Sequence, residues 1–354
     1  YDQIPNSVGG LTPIGTYFDG TIRPGTIFGT GPSGYRANTT GDYGALNAFV
    51  LVDSNDQPRF PPRDGTEDTP ESLTANEVKT IIRNALTIAF RARAQIRRPL
   101  GSHAQVTVSV VDTNGSILGI ARTPDGPVFG TDVSLQKART AAFFSNTNAA
   151  ADLIRANLGN YWLAAKAVLG PGALSDGTAF ADRSGGNLSR PFFPDGIDGA
   201  PHGPFSKPFS EWSPFNVGLQ LDLIAANIVA HRSFLLGQSP TDTPMNCTPI
   251  PVRPQTSKSP VANGIQIFPG SVPIYRNNTL IGGIGVSGDG IDQDDMISFL
   301  GLHNAGLELG TGVGNAPRPI RADNLEVPGG RLRYVNCPFL PFLDSNEQTP
   351  CNGK

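Results

Sequence analysis

Four histidines, His103, His202, His231 and His303, are the side chains best suited to bind a metal or to transfer protons near neutral pH. His103 precedes a predicted strand, His303 lies in the last predicted helix, and His231 lies on the apolar face of another predicted helix. At each position a structural histidine with satisfied hydrogen bonds is the competing interpretation. The spacing of Ser, His and Asp indicates no catalytic triad, and neither a nucleophile elbow nor an HExxH helix occurs, so no catalytic residue is assigned.

A run of small residues at 282–288 lies inside an apolar segment that predicts a strand. It lacks the GK[ST] ending of a phosphate-binding loop and is not a loop that feeds a helix. Glycines in such a strand allow a helix, or a flat ligand, to approach closely. Close packing is the first interpretation, and ligand contact at Gly283, Gly285 and Ser287 is the second.

Three acidic segments, at residues 53–56, 195–198 and 289–295, resemble loose calcium sites. None has the spacing and terminal Glu of an EF-hand. Turn formation and helix capping explain these acids well. A bound Ca²⁺ is kept as an alternative, and the residues that would hold a metal are left unassigned.

The regular elements that could position these residues begin with a helix at Thr74, where Thr74 and Glu77 form a capping-box pattern. Apolar residues follow at helical spacing until Pro99 ends the segment. A β-hairpin with an Asn-Gly turn at 114–115 comes next. It is followed by a second helix, which Asp132 can cap.

A matching hairpin occurs far downstream, with its turn at residues 276–279. A final helix follows, whose first turn carries Asp292, Asp294 and Asp295, where acids interact well with the helix dipole. The two hairpins and their helices predict an α+β fold, an antiparallel β-sheet flanked by helices.

The chain divides into a split core and three less regular parts. The predicted core domain covers 71–145 together with 260–310, and 146–259 is an insertion with some helix. An irregular N-terminal arm covers 1–70 and an irregular C-terminal tail covers 311–354. The arm contains short apolar runs that predict edge strands.

The two parts of the core, placed end to end, resemble the GlcG/HbpS-like haem-binding family, which is related to the C-terminal domain of some cobalamin adenosyltransferases. The most specific of the matching segments is Ile281-Gly282-Gly283-Ile284-Gly285-Val286-Ser287-Gly288 with the acids that follow it. The other matching segments are Leu73-Thr74, Val110-Val111-Asp112-x-x-Gly115, Ala121-Arg122, Lys137-Ala138-Arg139-Thr140-Ala141-Ala142-Phe143 and Val272-Pro273-Ile274. The chain departs from the family before the last hairpin, where it keeps one of two usual glycines and carries the insertion. The resemblance implies an antiparallel sheet flanked by helices, frequent oligomerisation, and binding of haem or another small ligand.

Under this resemblance, the candidate ligand-binding residues are Gly283, Gly285 and Ser287 together with three histidines, His303, His103 and His231. Haem iron takes a His, Met, Cys or Tyr side chain as its axial ligand. No CxxCH motif occurs, so the expected haem is non-covalent.

Composition and cysteine content indicate the compartment and exclude some partners. A net charge of −3 gives no reason to expect nucleic-acid binding, and no apolar run approaches the roughly 20 residues that span a bilayer. The chain begins at Tyr1 without Met, so we expect a processed bacterial protein, secreted or periplasmic. One disulfide is expected, either between Cys337 and Cys351 or from one of them to Cys247, which is typical of an oxidising compartment.

Three functions follow from these observations. The first is a secreted, non-catalytic protein that binds haem or another small ligand and forms a homo-oligomer. The alternative is a structural or assembly subunit of an extracellular multimer or redox complex, because the arm, insertion and tail are long, aromatic and Pro-rich. An enzyme with its active site near His202, Trp212 or His231 ranks last.

Overall fold

The computed structural model describes residues 24–39, 41–213, 217–243 and 246–354. The strands in these ranges are β1 (Tyr35–Ala37), β2 (Phe49–Leu51), β3 (Thr107–Val111), β4 (Ile117–Arg122), β5 (Ser271–Arg276), β6 (Thr279–Ser287), β7 (Val313–Asn315), β8 (Glu326–Val327) and β9 (Gly330–Arg331). The α-helices are α1 (Ala75–Arg91), α2 (Gly130–Phe144), α3 (Ala149–Arg155), α4 (Gly159–Leu169), α5 (Asp182–Leu188), α6 (Leu219–Asp222), α7 (Ala225–Leu235) and α8 (Ile291–Leu309).

One antiparallel sheet with the strand order β1-β2-β4-β3-β6-β5-β7 organises the molecule, and β8 and β9 form a separate pair. The two predicted hairpins lie side by side because β3 pairs with β6, from Thr107 opposite Ser287 to Val111 opposite Gly283. The halves of the core, far apart in the sequence, therefore form a single ladder. The predicted α+β fold class is confirmed.

Helices cover both faces of the sheet, and the alternation of side chains along β3 determines which residues meet which helix. Val108 and Val110 belong to the main buried cluster with α1 and α8. Val111 packs against α2, and the Ser109 hydroxyl lies 2.7 Å from the hydroxyl of Ser134 on α2. Period-two alternation on a two-faced sheet produces this division.

Helix α1 begins at the predicted capping box. The Thr74 amide donates to the Glu77 carboxylate at 2.9 Å, and the Glu77 amide donates back to the Thr74 hydroxyl at 3.3 Å. Arg276, at the end of β5, donates two hydrogen bonds of 2.8 and 2.9 Å to the same carboxylate. Burial would raise the pKa of Glu77, but the hydrogen bonds from Arg276, Thr74 and Thr311 lower it to about 2. The cap thus also joins α1 to the second hairpin.

Helix α2 differs from its prediction at its N-terminus. It begins at Gly130, and Asp132 lies inside the first turn, so the expected cap at Asp132 is wrong. The Asp132 carboxylate instead accepts a hydrogen bond of 2.8 Å from the side-chain amide of Asn263. A tertiary contact therefore uses the side chain that the local pattern assigned to capping.

The segments outside the predicted core contribute more regular structure than the sequence indicated. Residues 146–259 carry α3 to α7 and contribute to a second buried cluster, where Phe144 stacks on Phe205 with ring centroids 5.3 Å apart. The tail adds β7 to the open edge of β5, which satisfies backbone groups that would otherwise face solvent. At the opposite edge β1 and β2 extend the sheet. The domain division stays a prediction.

The disulfide forms between Cys337 and Cys351, the first of the two expected pairings. Cys247 is an exposed free thiol. Within the ranges that the structure describes, no helix combines the length and the apolar character needed to cross a membrane.

Candidate functional site

Helix α2 occupies the space beside the glycine-rich strand β6. A Cβ added at Gly283 would overlap the carbonyl oxygen of Ala138, and one added at Gly285 would overlap that of Ser134. Ser287, at the end of the strand, is also buried. In this conformation Gly283 and Gly285 serve the close packing of α2 on β6. Ligand contact there stays a prediction.

Buried charges lie where α2 crosses the end of β6. The Lys137 ammonium donates hydrogen bonds of 2.8 Å to the Val286 carbonyl oxygen and 2.9 Å to the Asp294 carboxylate. Burial raises the pKa of Asp294 to about 6, although Lys137 opposes that rise. Asp182 is fully buried close by, and neither carboxylate oxygen has a hydrogen-bond partner among the described residues. Its pKa is raised by burial as well.

The other acids of the 289–295 segment also bind cations of the protein. The Arg183 guanidinium bridges Asp292 and Asp295. Burial raises the pKa of Asp295 to about 6 against the influence of Arg183. The acidic first turn of α8 is therefore a buried ion-pair network that holds α5 and α2.

The remaining acidic segments form turns and surface ion pairs. One Asp53 carboxylate oxygen accepts the backbone amides of Asn55 and Gln57, and Asp195 pairs with Arg333 at 3.2 Å. Among the described residues, no group of three or more His, Cys, Asp or Glu side chains is placed to hold a metal ion. The predicted Ca²⁺ is not supported.

Two of the candidate histidines, His103 and His303, lie outside the groove described below and contact other parts of the protein. The His103 ring packs on Phe90, and its nitrogens contact the Ala104 carbonyl oxygen at 2.9 Å and the Gln105 amide at 3.3 Å. His303 lies half-buried on α8, where burial and then the charge of Lys354 lower its pKa. Neither residue lines the cavity that surrounds the third candidate, His231.

A groove of about 560 Å³ runs along α7. We term it the α7 groove, and its lining residues are Ile224, Asn227, Ile228, His231, Arg232, Leu235, Asp242, Thr243, Cys247 and Asn263. Ile224, Ile228, His231 and Leu235 recur at helical spacing, as the sequence predicted, and form a mainly apolar wall. Ile228 is 49% exposed, so this apolar wall is open to an incoming ligand.

Cys247, in an irregular segment, also lines the groove. The Asn227 side chain donates a hydrogen bond of 2.6 Å to the Asn246 carbonyl oxygen. The Cys247 amide donates to the Ala262 carbonyl oxygen at 2.7 Å. Contacts on both sides thus fix the position of the thiol relative to the helix.

Helix α2 supports the floor of the groove through Asn263. Gln136 donates a hydrogen bond of 2.6 Å to the Asn263 carbonyl oxygen, and Arg139 binds the Asn263 side chain. Gly264, the next residue, lies against Ile224 of the groove wall. Gly285 lets α2 pack closely on β6, and α2 in turn holds Asn263 at the groove.

His231 and Asp242 form the polar centre of the groove. His231 Nδ1 lies 2.7 Å from a carboxylate oxygen of Asp242, and this contact, with a smaller contribution from Thr243, lowers the pKa of Asp242. A metal-binding histidine commonly has such a carboxylate on its other ring nitrogen. Burial, followed by the charge of Asp132, raises the pKa of the Cys247 thiol.

The side chains of the groove are of the types that can hold a haem. Haem iron takes a His, Met, Cys or Tyr side chain as its ligand, the macrocycle needs an apolar cleft, and ligand pockets of about 300–1,000 Å³ are usual. The groove provides an imidazole, a thiol, aliphatic walls and the cationic side chain of Arg232. The sequence identified His231 but missed Asp242 and Cys247 as its neighbours. The available signal was the Gly-Gln-Ser-Pro turn at 237–240, which reverses the chain after α7.

Comparison with known proteins relates part of this chain to one family. Residues 226–302 match the family model described as haem degrading protein HbpS-like. The matched segment runs from α7 through the second hairpin into α8, and it includes His231, Asp242 and Cys247. No curated protein matches the chain.

Two solved structures are similar to the chain. One is a PduOC–haem complex, with 16% identity, 69% of this chain and 99% of that chain covered, and a TM-score of 0.30. The other is Klebsiella pneumoniae protein ORFY, with 15% identity, coverage of 68% and 94%, and a TM-score of 0.31. The resemblance to the HbpS-like family is confirmed by the family model over residues 226–302.

Proposed function

We propose that this protein binds haem non-covalently in the α7 groove, where His231 would hold its iron. The observation that carries the proposal is the His231–Asp242 pair, which lies in an open, largely apolar groove of about 560 Å³. The HbpS-like match supports it, because the matched residues contain both members of the pair. Bound haem would supply the redox and ligand-binding chemistry of its iron.

Each residue of the groove has a distinct task in this proposal. Asp242 fixes the ring of His231 and makes it a stronger base. Ile224, Ile228 and Leu235 bury the apolar faces of the macrocycle. The Arg232 side chain, at the edge of the groove, compensates the charge of a propionate.

Titration with hemin tests the proposal. The wild-type protein is expected to give a saturable Soret shift at micromolar concentration, and His231→Ala to weaken binding at least tenfold. Asp242→Asn should weaken it about tenfold, as loss of an outer-shell partner does at metal sites. His202→Ala is the matched control, because His202 is an exposed histidine outside the groove. Unchanged binding by His231→Ala, with loss in His303→Ala, would refute the assignment.

We propose that binding is non-catalytic, although the family description refers to haem degradation. The two activities separate when ascorbate is added to the loaded protein in air. A Soret band that persists indicates binding alone, whereas its decay with a new product spectrum indicates degradation. Cys247→Ser in the same assay distinguishes a contribution of the thiol from that of the imidazole.

An assembly role is the second candidate, and exposed apolar side chains on α7 favour it. Val229 is 61% and Phe234 38% exposed, and neither lines the groove. Such residues suit an interface with a second copy of the chain. We propose a secreted or periplasmic homo-oligomer, since the Cys337–Cys351 disulfide is typical of oxidising compartments. Light scattering of the native protein and of a Val229→Glu variant tests this; the redox partner stays a prediction.

A further inference from the structure

A second cavity, of about 390 Å³, lies between the loop after α5 and the start of α8. We term it the Arg190 pocket, and the residues that define it are Arg190, Phe192, Trp212, Ile267, Phe268 and Ile291. It shares no lining residue with the α7 groove. Phe268 and Ile291 remain 39% and 45% exposed, so apolar surface faces the opening.

The aromatic walls of the pocket are held in place by contacts with neighbouring residues. Phe192 stacks on Phe209, with ring centroids 5.3 Å apart and an interplanar angle of 16°. The Trp212 indole N–H donates to the Ser189 carbonyl oxygen at 3.4 Å. Flat apolar surfaces are thus in position before any ligand arrives, which reduces the entropic cost of binding.

Two arginines, Arg183 and Arg190, line this cavity, and among the described residues only Arg183 is paired with carboxylates. Arg183 is neutralised by Asp292 and Asp295. Among the described residues, Arg190 has no carboxylate within 4.0 Å and makes no side-chain hydrogen bond, although it is partly buried. The nearby Asp195 is bound to Arg333 at 3.2 Å. In the part of the chain that the structure describes, Arg190 therefore carries a positive charge without an ion-pair partner, beside aromatic rings.

Burial lowers the pKa of Arg190, and the charge of Asp195 only partly opposes this effect. A guanidinium in such surroundings gains strongly from a carboxylate, which it can bind through two parallel hydrogen bonds. Aromatic rings beside it favour offset or edge-to-face stacking with a second ring. The cavity is within the usual volume of a small-molecule site.

We propose that the Arg190 pocket binds a small aromatic carboxylate. The guanidinium of Arg190 binds the carboxylate, and the ligand ring packs between Phe192, Trp212 and Phe268. This site is independent of haem binding in the α7 groove.

Calorimetric titration with naphthalene-2-carboxylate tests the proposal, with naphthalene-2-carboxamide as the uncharged isostere. The wild-type protein is expected to bind the carboxylate at least tenfold more tightly than the amide. Arg190→Gln should abolish this difference, whereas Arg190→Lys, which keeps the charge but loses the bidentate geometry, should retain part of it. Arg36→Gln is the matched control, because Arg36 lies on the edge strand β1, outside the pocket, and pairs with Asp56.

Fluorescence adds a readout that locates the ligand. Trp162 and Trp212 are the two tryptophans of the chain, so quenching by the carboxylate that disappears in Trp212→Phe places the ring in this pocket. Three results would each overturn the proposal: equal affinity of the wild type for carboxylate and amide, no binding of the carboxylate at millimolar concentration, or an Arg190→Gln variant that binds the carboxylate as tightly as the wild type does. Arg190→Gln should bind hemin as the wild type does, which separates this site from the haem site and shows that the variant folds.

Discussion

Replacement of Lys137 by Met should destabilise the protein in a manner that depends strongly on pH. Lys137 and Asp294 are both buried, and their charged groups lie 2.9 Å apart. Removal of the cation leaves the Asp294 carboxylate without its partner and also removes a positive charge that stabilises ionised Asp182. Breaking a buried ion pair from one side costs about 3–5 kcal/mol because the remaining charge is neither solvated nor paired.

The direction of the pH effect follows from the pKa of Asp294, which folding raises from 3.8 to about 6. The folded state holds this proton more tightly than the unfolded state, so the free energy of unfolding falls as pH rises from about 4 to about 6. At about 1.36 kcal/mol for each pH unit, Asp294 accounts for a decrease of about 3 kcal/mol. Without Lys137 the pKa rises further, so the decline continues to higher pH. At pH 4.5, where Asp294 is protonated, the variant should lose only about 1–2 kcal/mol from missing hydrogen bonds.

Urea unfolding at pH 4.5 and pH 8, followed by circular dichroism, measures both values. Lys79→Met is the matched control, because Lys79 lies at the surface, 3.9 Å from Asp42, and should change little at either pH. The double variant Lys137→Met/Asp294→Asn should recover part of the stability at pH 8. Equal destabilisation by Lys137→Met at both pH values would refute the reasoning, because it would show that the buried charge is not what the cation stabilises.

Two further predictions concern the sheet and the first helix. Gly285→Ala should destabilise the fold by about 3 kcal/mol, since its Cβ would overlap a carbonyl oxygen of α2 that cannot move alone; Gly314→Ala, where the Cβ meets open space, is the control in thermal unfolding. Glu77→Gln should cost about 2 kcal/mol at pH 7, with allowance for solvent screening, because Arg276 loses its charged partner. The pKa of Glu77 falls from 4.5 to about 2 on folding, so its contribution is present above about pH 4.5 and lost as pH falls towards 2. A variant whose deficit is as large at pH 2.5 as at pH 7 would contradict this.

The sequence predicted helices and hairpins correctly where neighbouring residues alone determine the local structure. The capping box at Thr74 and Glu77, the two hairpin turns and the acidic start of α8 all depend on residues within a few positions of one another. Asp132 shows where such signals fail, because a partner 131 residues away takes the carboxylate from its expected capping role.

The candidate sites were only partly predictable for the same reason. The helical spacing around His231 was visible in the sequence, but Asp242 reaches it only after the chain reverses. The interpretation of β6 as a closely packed strand was available from its glycines, whereas the identity of the helix above it depended on tertiary structure. Arg190 carried no local signal, since what distinguishes it is a missing partner, which only three-dimensional structure reveals.

The pairing of β3 with β6 has a consequence for how the chain folds. Thr107 and Ser287 are opposite each other in the ladder although 180 residues separate them. At synthesis rates of about 5–20 residues per second, β3 waits about 10–35 s for its partner. During that interval one edge of an apolar hairpin is unpaired and open to association with other chains. High contact order thus makes this fold slow to complete and sensitive to crowding of nascent chains, and an expression host that slows aggregation should raise its yield.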